Sequence, residues 1–230
     1  MDADPFPLEL SQLTLFETAA SSQARLELFP AVWAAADALT SPDEATRRTG
    51  LAELSRLGAA RFSPLVVYVL ATRLNEPDLP MRAQAARLLA QVLQPDADGK
   101  YAPDNVRLTL KQALAQMRTR QVFALLQAVE ADAEVKPCVA TLLGECSYAG
   151  NHLVDIFSNR SLPMWARKLS IVMCGEVGFL TALPALERLA GRLEARQNGQ
   201  QSMPFLPKDS GDEGELLPVL KQAIARLRAP

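Results

Sequence analysis

Apolar residues recur at spacings of three and four along almost the whole chain, and this period constrains the fold more than any other feature. Such spacing is typical of a helix with one buried face, whereas a strand needs an alternation of two. Short breaks that carry Pro, Asp, Asn or Ser separate the periodic segments. A low aromatic fraction of 6% and only 11 glycines argue against a strand-rich sandwich or barrel. The sequence therefore predicts an all-α protein.

About eleven helices follow from this pattern. They cover residues 28–39, 42–57, 63–74, 78–93, 103–118, 121–130, 133–146, 151–157, 162–176, 179–196 and 215–228. Ser41 is a candidate N-cap for the second helix, because Pro42 suits the first helical position and the Asp43 carboxylate favours the positive end of the dipole. Ser161, two residues before Pro163, is predicted to repeat the capping hydroxyl.

Three segments interrupt the helical pattern. Residues 1–27 predict an N-terminal arm or a short helix, and the sequence leaves both open. A polar loop at the start of 94–118 makes the array irregular there, since it is longer than most connections between helices. Residues 197–214 carry Asn-Gly, two prolines and an Asp-Ser-Gly-Asp run, and predict a flexible loop. The helix within 215–230 is then expected to cap the array.

Charge and hydropathy bear on the location of the protein in the cell and on the partners it can bind. The chain has 24 basic and 26 acidic residues, a formal charge of −2, so no long-range positive field attracts nucleic acid, which is an unlikely partner. Its acidic start lacks the basic and apolar parts of a secretory signal. No apolar run approaches the roughly 18 residues of a membrane helix. We expect a cytoplasmic protein that does not enter a membrane.

The residues that most often carry chemistry are few and scattered. Cys138, Cys146 and Cys174 lie in apolar helical patterns without metal-ligand spacing, which predicts reduced core thiols and no metal. His152 is interpreted as a structural or surface histidine, because only Asp155 stands near it as an orienting carboxylate. We therefore predict no catalytic residue, no cofactor and no enzymatic activity.

Self-comparison uncovers a repeat. Residues 143–146 and 174–177 match at an offset of 31, each at the end of one helix before a break and a second apolar helix. In four helices a cation is followed by small or apolar residues three, four and seven positions later, and an aspartate precedes three of these cations by four residues. The cations are Arg47, Arg82, Lys136 and Arg167, and the aspartates are Asp43, Asp78 and Asp132. An acid one turn before a cation is the favourable order on a helix.

The steps between these cations are 35, 54 and 31 residues, and Pro163 replaces the fourth aspartate. A rival register pairs residues 78–81 with 161–164 at an offset of 83 instead of 85. The register around 94–132 and 161–167 therefore stays open.

This pattern resembles the HEAT-repeat family, whose unit is a helical hairpin of about 40 residues with an Asp turn and an Arg in the second helix. The resemblance covers residues 28–196, about four repeats. It implies a right-handed α–α superhelix, a HEAT-like solenoid of 10–11 helices. In it, the Asp and Arg positions would form a ladder between neighbouring repeats. It also implies a scaffold or adaptor that works by protein–protein interaction.

In a solenoid the second helices line the concave face, and recognition is spread over successive helices. Counting nine residues from each cation, and five from Arg82, gives the predicted partner-facing residues: Arg56, Arg87, Gln91, Glu145 and Glu176. They make a groove with a basic and an acidic end, suited to a protein partner. The alternative is a nucleic-acid-binding HEAT-like protein, such as a relative of the alkylpurine DNA glycosylases, with Trp33 and Trp165 as its aromatic platforms.

Overall fold

The computed structural model describes residues 22–197 and 213–229, and side chains within 30–196 and 213–229. Helices and turns make up these residues without any strand, which confirms the all-α class. Within the described part of the chain, no helix has the length and apolar character needed to cross a membrane. The chain divides into two compact units, Met1–Ala59 and Ala60–Pro230. Most of the predicted arm 1–27 and of the predicted loop 197–214 lies outside the described residues.

The N-terminal unit contains two described helices that pack against each other, α1 (Ser22–Thr40) and α2 (Glu44–Arg56). Helix α1 begins before residue 28, so residues 22–27 of the predicted arm are helical. The closest approach between the two helices is at Gly50. A Cβ atom there would lie 2.6 Å from the carbonyl oxygen of Ala35 and 2.8 Å from the amide nitrogen of Leu39. Only glycine therefore allows this spacing.

The C-terminal unit holds nine α-helices among its described residues, which brings the described total to the predicted eleven. They are α3 (Pro64–Thr72), α4 (Leu79–Leu93), α5 (Asp104–Ala115), α6 (Thr119–Ala131), α7 (Lys136–Gly144), α8 (Ala149–Ser158), α9 (Met164–Val177), α10 (Leu183–Gln197) and α11 (Leu216–Arg228). A 3-10 turn, Glu213–Glu215, leads into α11.

Helices in this unit pack in series. Helix α4 contacts α7, α7 contacts α9, and α9 contacts α11. A second series runs from α6 to α8 and from α8 to α10, and α3 packs on α5. Fully buried side chains such as Leu89, Leu142 and Phe157 fill the space between them. Each helix thus buries its apolar face against helices that are close in chain order.

Both predicted capping hydroxyls are corrected by the structure. The N-cap of α2 is Asp43, whose carboxylate accepts hydrogen bonds from the Thr46 amide at 2.8 Å and the Thr46 hydroxyl at 2.7 Å. These bonds from Thr46 lower the pKa of Asp43. The Ser41 hydroxyl instead accepts from the Asp43 amide at 3.2 Å, and Ser161 donates its hydroxyl to Asn159 Oδ1 at 2.7 Å. The N-cap of α9 is Pro163, and no side chain donates or accepts a capping hydrogen bond there.

The long connection between α4 and α5 is held by one arginine. Arg61 Nη1 donates to the carbonyl oxygens of Gln91 at 2.7 Å and Gln94 at 3.0 Å, and Nη2 donates to that of Lys100 at 2.7 Å. The Asp96 carboxylate accepts from the amide of Lys100 at 2.8 Å and so closes the loop. The predicted polar loop is therefore an ordered connection between the two helices.

Substitution of Gly50 by alanine is expected to destabilise the N-terminal unit. Alanine gains about 1 kcal/mol of helix propensity, but overpacking costs about 1–3 kcal/mol and the clash is with backbone atoms of α1. We expect a net loss of up to about 2 kcal/mol in the free energy of unfolding. Because each unit contains one of the two tryptophans, a Trp165→Phe background leaves Trp33 fluorescence to report this unit during urea unfolding.

The matched control is Gly191→Ala in α10, where a Cβ atom would meet nothing within 4 Å. Only the helix propensity changes at this position. In a Trp33→Phe background, the free energy of unfolding of the C-terminal unit should therefore rise by up to about 1 kcal/mol. Equal effects of the two substitutions would contradict the close approach at Gly50.

Candidate interaction surface

Arg82 is a buried cation that joins helices of the C-terminal unit. It is 6% exposed, and its Nε and Nη2 donate to the carbonyl oxygen of Glu76 at 2.9 and 2.6 Å. Its Nη1 donates to the carbonyl oxygen of Ala124 at 2.8 Å and to Gln127 Oε1 at 2.9 Å. Burial lowers the pKa of Arg82, although a guanidinium stays protonated at neutral pH. This predicted ladder residue thus ties α4 to the turn before it and to α6.

Arg167 is the second buried cation, 3% exposed. Its Nε donates to the carbonyl oxygen of Phe157 at 2.9 Å, and its Nη2 donates to Glu213 Oε1 at 2.8 Å. Arg196 at 3.0 Å and Arg160 at 3.4 Å share the same carboxylate. Burial raises the pKa of Glu213, but the Arg167 hydrogen bond and the nearby positive charges outweigh burial and lower it overall. Arg167 therefore ties α9 to the end of α8 and to the turn before α11.

Arg47 of the N-terminal unit repeats part of this arrangement. Its Nη1 donates to the carbonyl oxygens of Ser41 at 3.2 Å and Pro42 at 2.7 Å, just before α2. Arg47, Arg82 and Arg167 thus each donate to main-chain carbonyls that precede their own helix. Asp78 occupies the N-cap position of α4, as Asp43 does for α2.

Ion pairs link the predicted ladder residues to the predicted partner-facing residues. Arg87 in α4 is hydrogen-bonded to Asp132, and this bond lowers the pKa of Asp132. Lys136 Nζ in α7 lies 2.7 Å from Glu176 Oε1 in α9, and Arg226 in α11 reaches the same oxygen at 3.3 Å. Each of these two pairs therefore joins one predicted ladder residue, Asp132 or Lys136, to one predicted partner-facing residue, Arg87 or Glu176.

The predicted partner-facing residues differ in exposure. Gln91 is exposed, and the Arg56 side chain is 68% exposed beside Glu53 on the same helix. By contrast, Arg87, Glu145 and Glu176 keep between 28% and 36% of their side-chain surface. Lys111 Nζ lies 3.0 Å from Glu145 Oε2. Since Glu145 and Glu176 each contact a cation, the predicted acidic end is locally compensated.

Apolar side chains are exposed on α3 and α5, which pack together. Leu65 and Tyr68 follow one face of α3 and are 39% and 60% exposed, and Leu108 of α5 is 55% exposed. Tyr101, just before α5, is 56% exposed and lies under the Arg107 guanidinium at 5.3 Å. Tyrosines are enriched in protein–protein interfaces. In the sequence these exposed residues look like the apolar residues that form the core.

Reactive side chains serve packing in this unit. His152 Nδ1 lies 3.0 Å from the Thr119 hydroxyl, and its Nε2 lies 3.0 Å from the carbonyl oxygen of Met117, so it joins α8 to the start of α6. Burial raises the pKa of the Cys146 thiol and raises that of Cys174 to about 12. Trp165 stacks against Phe123 with ring centroids 5.8 Å apart. No group of three metal-ligating side chains occurs in residues 22–197 or 213–229.

Several residues of these networks were missed from the sequence. Lys111 and Arg226 lie outside the repeated motif, and Glu213 falls in a segment without helical period. A signal for Lys111 was available, because it stands on the face of α5 next to Leu110 and Leu114, which are buried.

No protein-family model, no curated protein and no solved structure matches this chain.

Proposed function

We propose that the protein is a non-enzymatic HEAT-type adaptor that binds a protein partner along the face formed by α4, α7 and α9. The observation that carries the proposal is the sequence separation of the bridges between helices. Arg87 lies 45 residues from Asp132, Lys136 lies 40 from Glu176, and Arg167 lies 46 from Glu213. A HEAT unit is about 40 residues long, so each bridge connects one unit to the next.

The serial packing of α4, α7, α9 and α11 supports the same proposal, because stacked repeats contact their immediate neighbours. A right-handed superhelix would arise from this stacking. Its concave face would carry Arg87, Gln91, Glu145 and Glu176. Arg56 of the N-terminal unit would be a separate contact with the partner.

A protein suits this face better than a nucleic acid does. Arg87 and Lys136 are each engaged by a carboxylate, which leaves less positive charge for a phosphate backbone. These paired side chains are already held in place. Binding a partner with mixed charges would therefore cost this protein little side-chain entropy. The exposed Tyr68 of α3 and Tyr101, just before α5, offer a second contact area.

The non-enzymatic part of the proposal is supported by the use of His152, Cys146 and Cys174 in packing. A thiol whose pKa is raised stays protonated at neutral pH and is a poor nucleophile. Cys138, Cys146 and Cys174 are free thiols, as is usual in the cytoplasm, where we propose that the adaptor acts.

The test is to identify a partner by affinity purification from the native host and then to measure its affinity for purified variants. Gln91→Glu changes an exposed side chain on the proposed face, and Arg56→Glu changes an exposed side chain of the N-terminal unit, so the fold should persist. We expect each to weaken binding about fivefold or more, as substitutions of contacting interface residues do. Isothermal titration calorimetry gives the dissociation constants.

The matched control is Arg120→Glu, an exposed residue at the start of α6, which should leave the affinity unchanged. A partner that binds Gln91→Glu as tightly as the wild type would contradict the proposed face, and unchanged affinity for Arg56→Glu would remove Arg56 as a contact. Duplex DNA that binds at low salt and dissociates steeply as salt rises would favour the nucleic-acid alternative.

A further inference from the structure

A surface cavity of about 250 Å³ lies between α8 and α10 of the C-terminal unit. Its lining combines an apolar floor with two cations and a hydroxyl: Val154, Ala185, Leu189, Arg188, Arg192 and Ser158. The residues of α10 stand at spacings of three and four, so they belong to one face of the helix. The cavity is independent of the face proposed above to bind a protein partner.

Among the described residues, both arginines of the cavity lack the carboxylate partner that most other cations have. In the described part of the chain, neither Arg188 nor Arg192 lies within ion-pair distance of an acidic side chain. Cations that do include Arg48, Arg56, Arg73, Arg87, Arg107, Lys111, Lys136, Lys168, Lys221, Arg226 and Arg228. Arg188 Nε donates to the Pro184 carbonyl at 3.2 Å. Within the described residues, no carboxylate therefore matches these two positive charges.

Further arginines increase this charge. Among the described residues, Arg160, Arg167 and Arg196 all lie within ion-pair distance of the Glu213 carboxylate. Arg192 lies close enough to these charges for them to change its pKa. Burial lowers the pKa of Arg192, the charges of Arg160, Arg196 and Arg167 lower it further, and Glu213 opposes them. A bound anion beside Arg192 would relieve this repulsion.

We propose that the cavity binds a phosphate monoester, whose phosphoryl group is held by Arg188, Arg192 and the Ser158 hydroxyl. The carbon part of the ligand lies on Val154, Ala185 and Leu189. Arg188 and Arg192 are one turn apart on α10 and offer two forks of N–H donors. A dianion with three terminal oxygens matches two forks better than a single carboxylate does.

The size of the cavity limits the ligand. Pockets for drug-sized molecules begin at about 300 Å³, so a cavity of about 250 Å³ accepts a small organic phosphate or one phosphorylated side chain. These two sources share the same chemistry at the arginines. They differ in whether the rest of the ligand extends out of the cavity.

Binding is tested on the full chain by calorimetry and by thermal unfolding with inorganic phosphate and phenyl phosphate, at constant ionic strength. We expect phenyl phosphate to bind and to raise the melting temperature, and inorganic phosphate to bind more weakly because it does not reach the apolar floor. A phosphotyrosine peptide that binds more tightly than phenyl phosphate would indicate a protein ligand, and equal or weaker binding a small molecule.

Variants assign the binding to the cavity. Arg188→Ala and Arg192→Ala should each weaken phenyl phosphate binding about tenfold, since each removes charged hydrogen bonds from an exposed residue. Glu213→Gln removes the competing carboxylate and should tighten binding severalfold. Arg48→Ala in α2, also an exposed arginine, is the matched control and should change nothing.

Absence of phenyl phosphate binding at millimolar concentration would overturn the proposal. So would an equal loss in Arg48→Ala, which would indicate general charge attraction, or full affinity in Arg192→Ala. Circular dichroism checks that each variant is folded, and the two exposed arginines keep the test decisive if Glu213→Gln unfolds.

Discussion

Arg82→Ala is expected to lower the free energy of unfolding of the C-terminal unit by about 2–6 kcal/mol, because two buried carbonyls lose their donor at a cost of about 1–3 kcal/mol each. The substitution removes a side chain that is 6% exposed and that donates to two main-chain carbonyls and one amide. Those carbonyls, of Glu76 and Ala124, would then lack partners in a dry environment, and unsatisfied buried polar groups are costly. The turn before α4 and helix α6 should loosen together.

Urea unfolding followed by Trp165 fluorescence in a Trp33→Phe background measures this loss in the C-terminal unit alone. Arg120→Ala is the control, because an exposed surface substitution usually changes stability by less than about 0.5 kcal/mol. A loss below about 1 kcal/mol for Arg82→Ala would mean that water replaces its hydrogen bonds.

Arg167→Met is expected to cost a similar amount, about 3–5 kcal/mol at neutral pH, for a different reason. Arg167 pairs with a carboxylate, Glu213, that is 13% exposed, and methionine leaves that carboxylate without its closest cation. Methionine preserves much of the apolar volume against α8 and α11, so the loss comes mainly from the hydrogen bonds and the charge. The same fluorescence experiment measures it.

The pH dependence separates the two buried arginines. The pKa of Glu213 is lowered in the folded state, so its contribution is present above its ordinary value of 4.5 and is lost as the pH falls below that value. The stability difference between wild type and Arg167→Met should therefore narrow under acid conditions. The Arg82→Ala difference should change less, because its hydrogen-bond acceptors are carbonyl and amide oxygens and the Glu76 carboxylate acts on Arg82 only through its charge. Parallel pH profiles for the two variants would refute a contribution from ionised Glu213.

The positions of the buried arginines could be predicted from the sequence, but their acceptors could not. Small or apolar residues at the third, fourth and seventh positions after Arg82 and Arg167 place each cation on the packing face of its helix. The acceptors are mostly carbonyls, and a main-chain carbonyl leaves no mark in the residue type. Glu213 was also out of reach, since it follows a segment with no helical period.

One feature of the candidate cavity is visible in the sequence, independently of the repeat. Arg188, Arg192 and Arg196 recur every four residues, which places them along one face of the predicted helix 179–196. Whether such a stripe is solvated or lines a cavity depends on the neighbouring helix. The contribution of Val154 and Ser158 from α8 becomes visible only in three dimensions.

The side-chain bridges between helices also bear on how quickly the C-terminal unit can fold. Among the described residues their partners stay close along the chain: 33 residues separate Thr119 from His152, and 53 separate Arg160 from Glu213. Loop-closure entropy grows slowly over such lengths, and chains with nearby contacts have low contact order and fold fast. Its folding rate should therefore be set by docking one helical pair on the next, with total chain length as a minor factor.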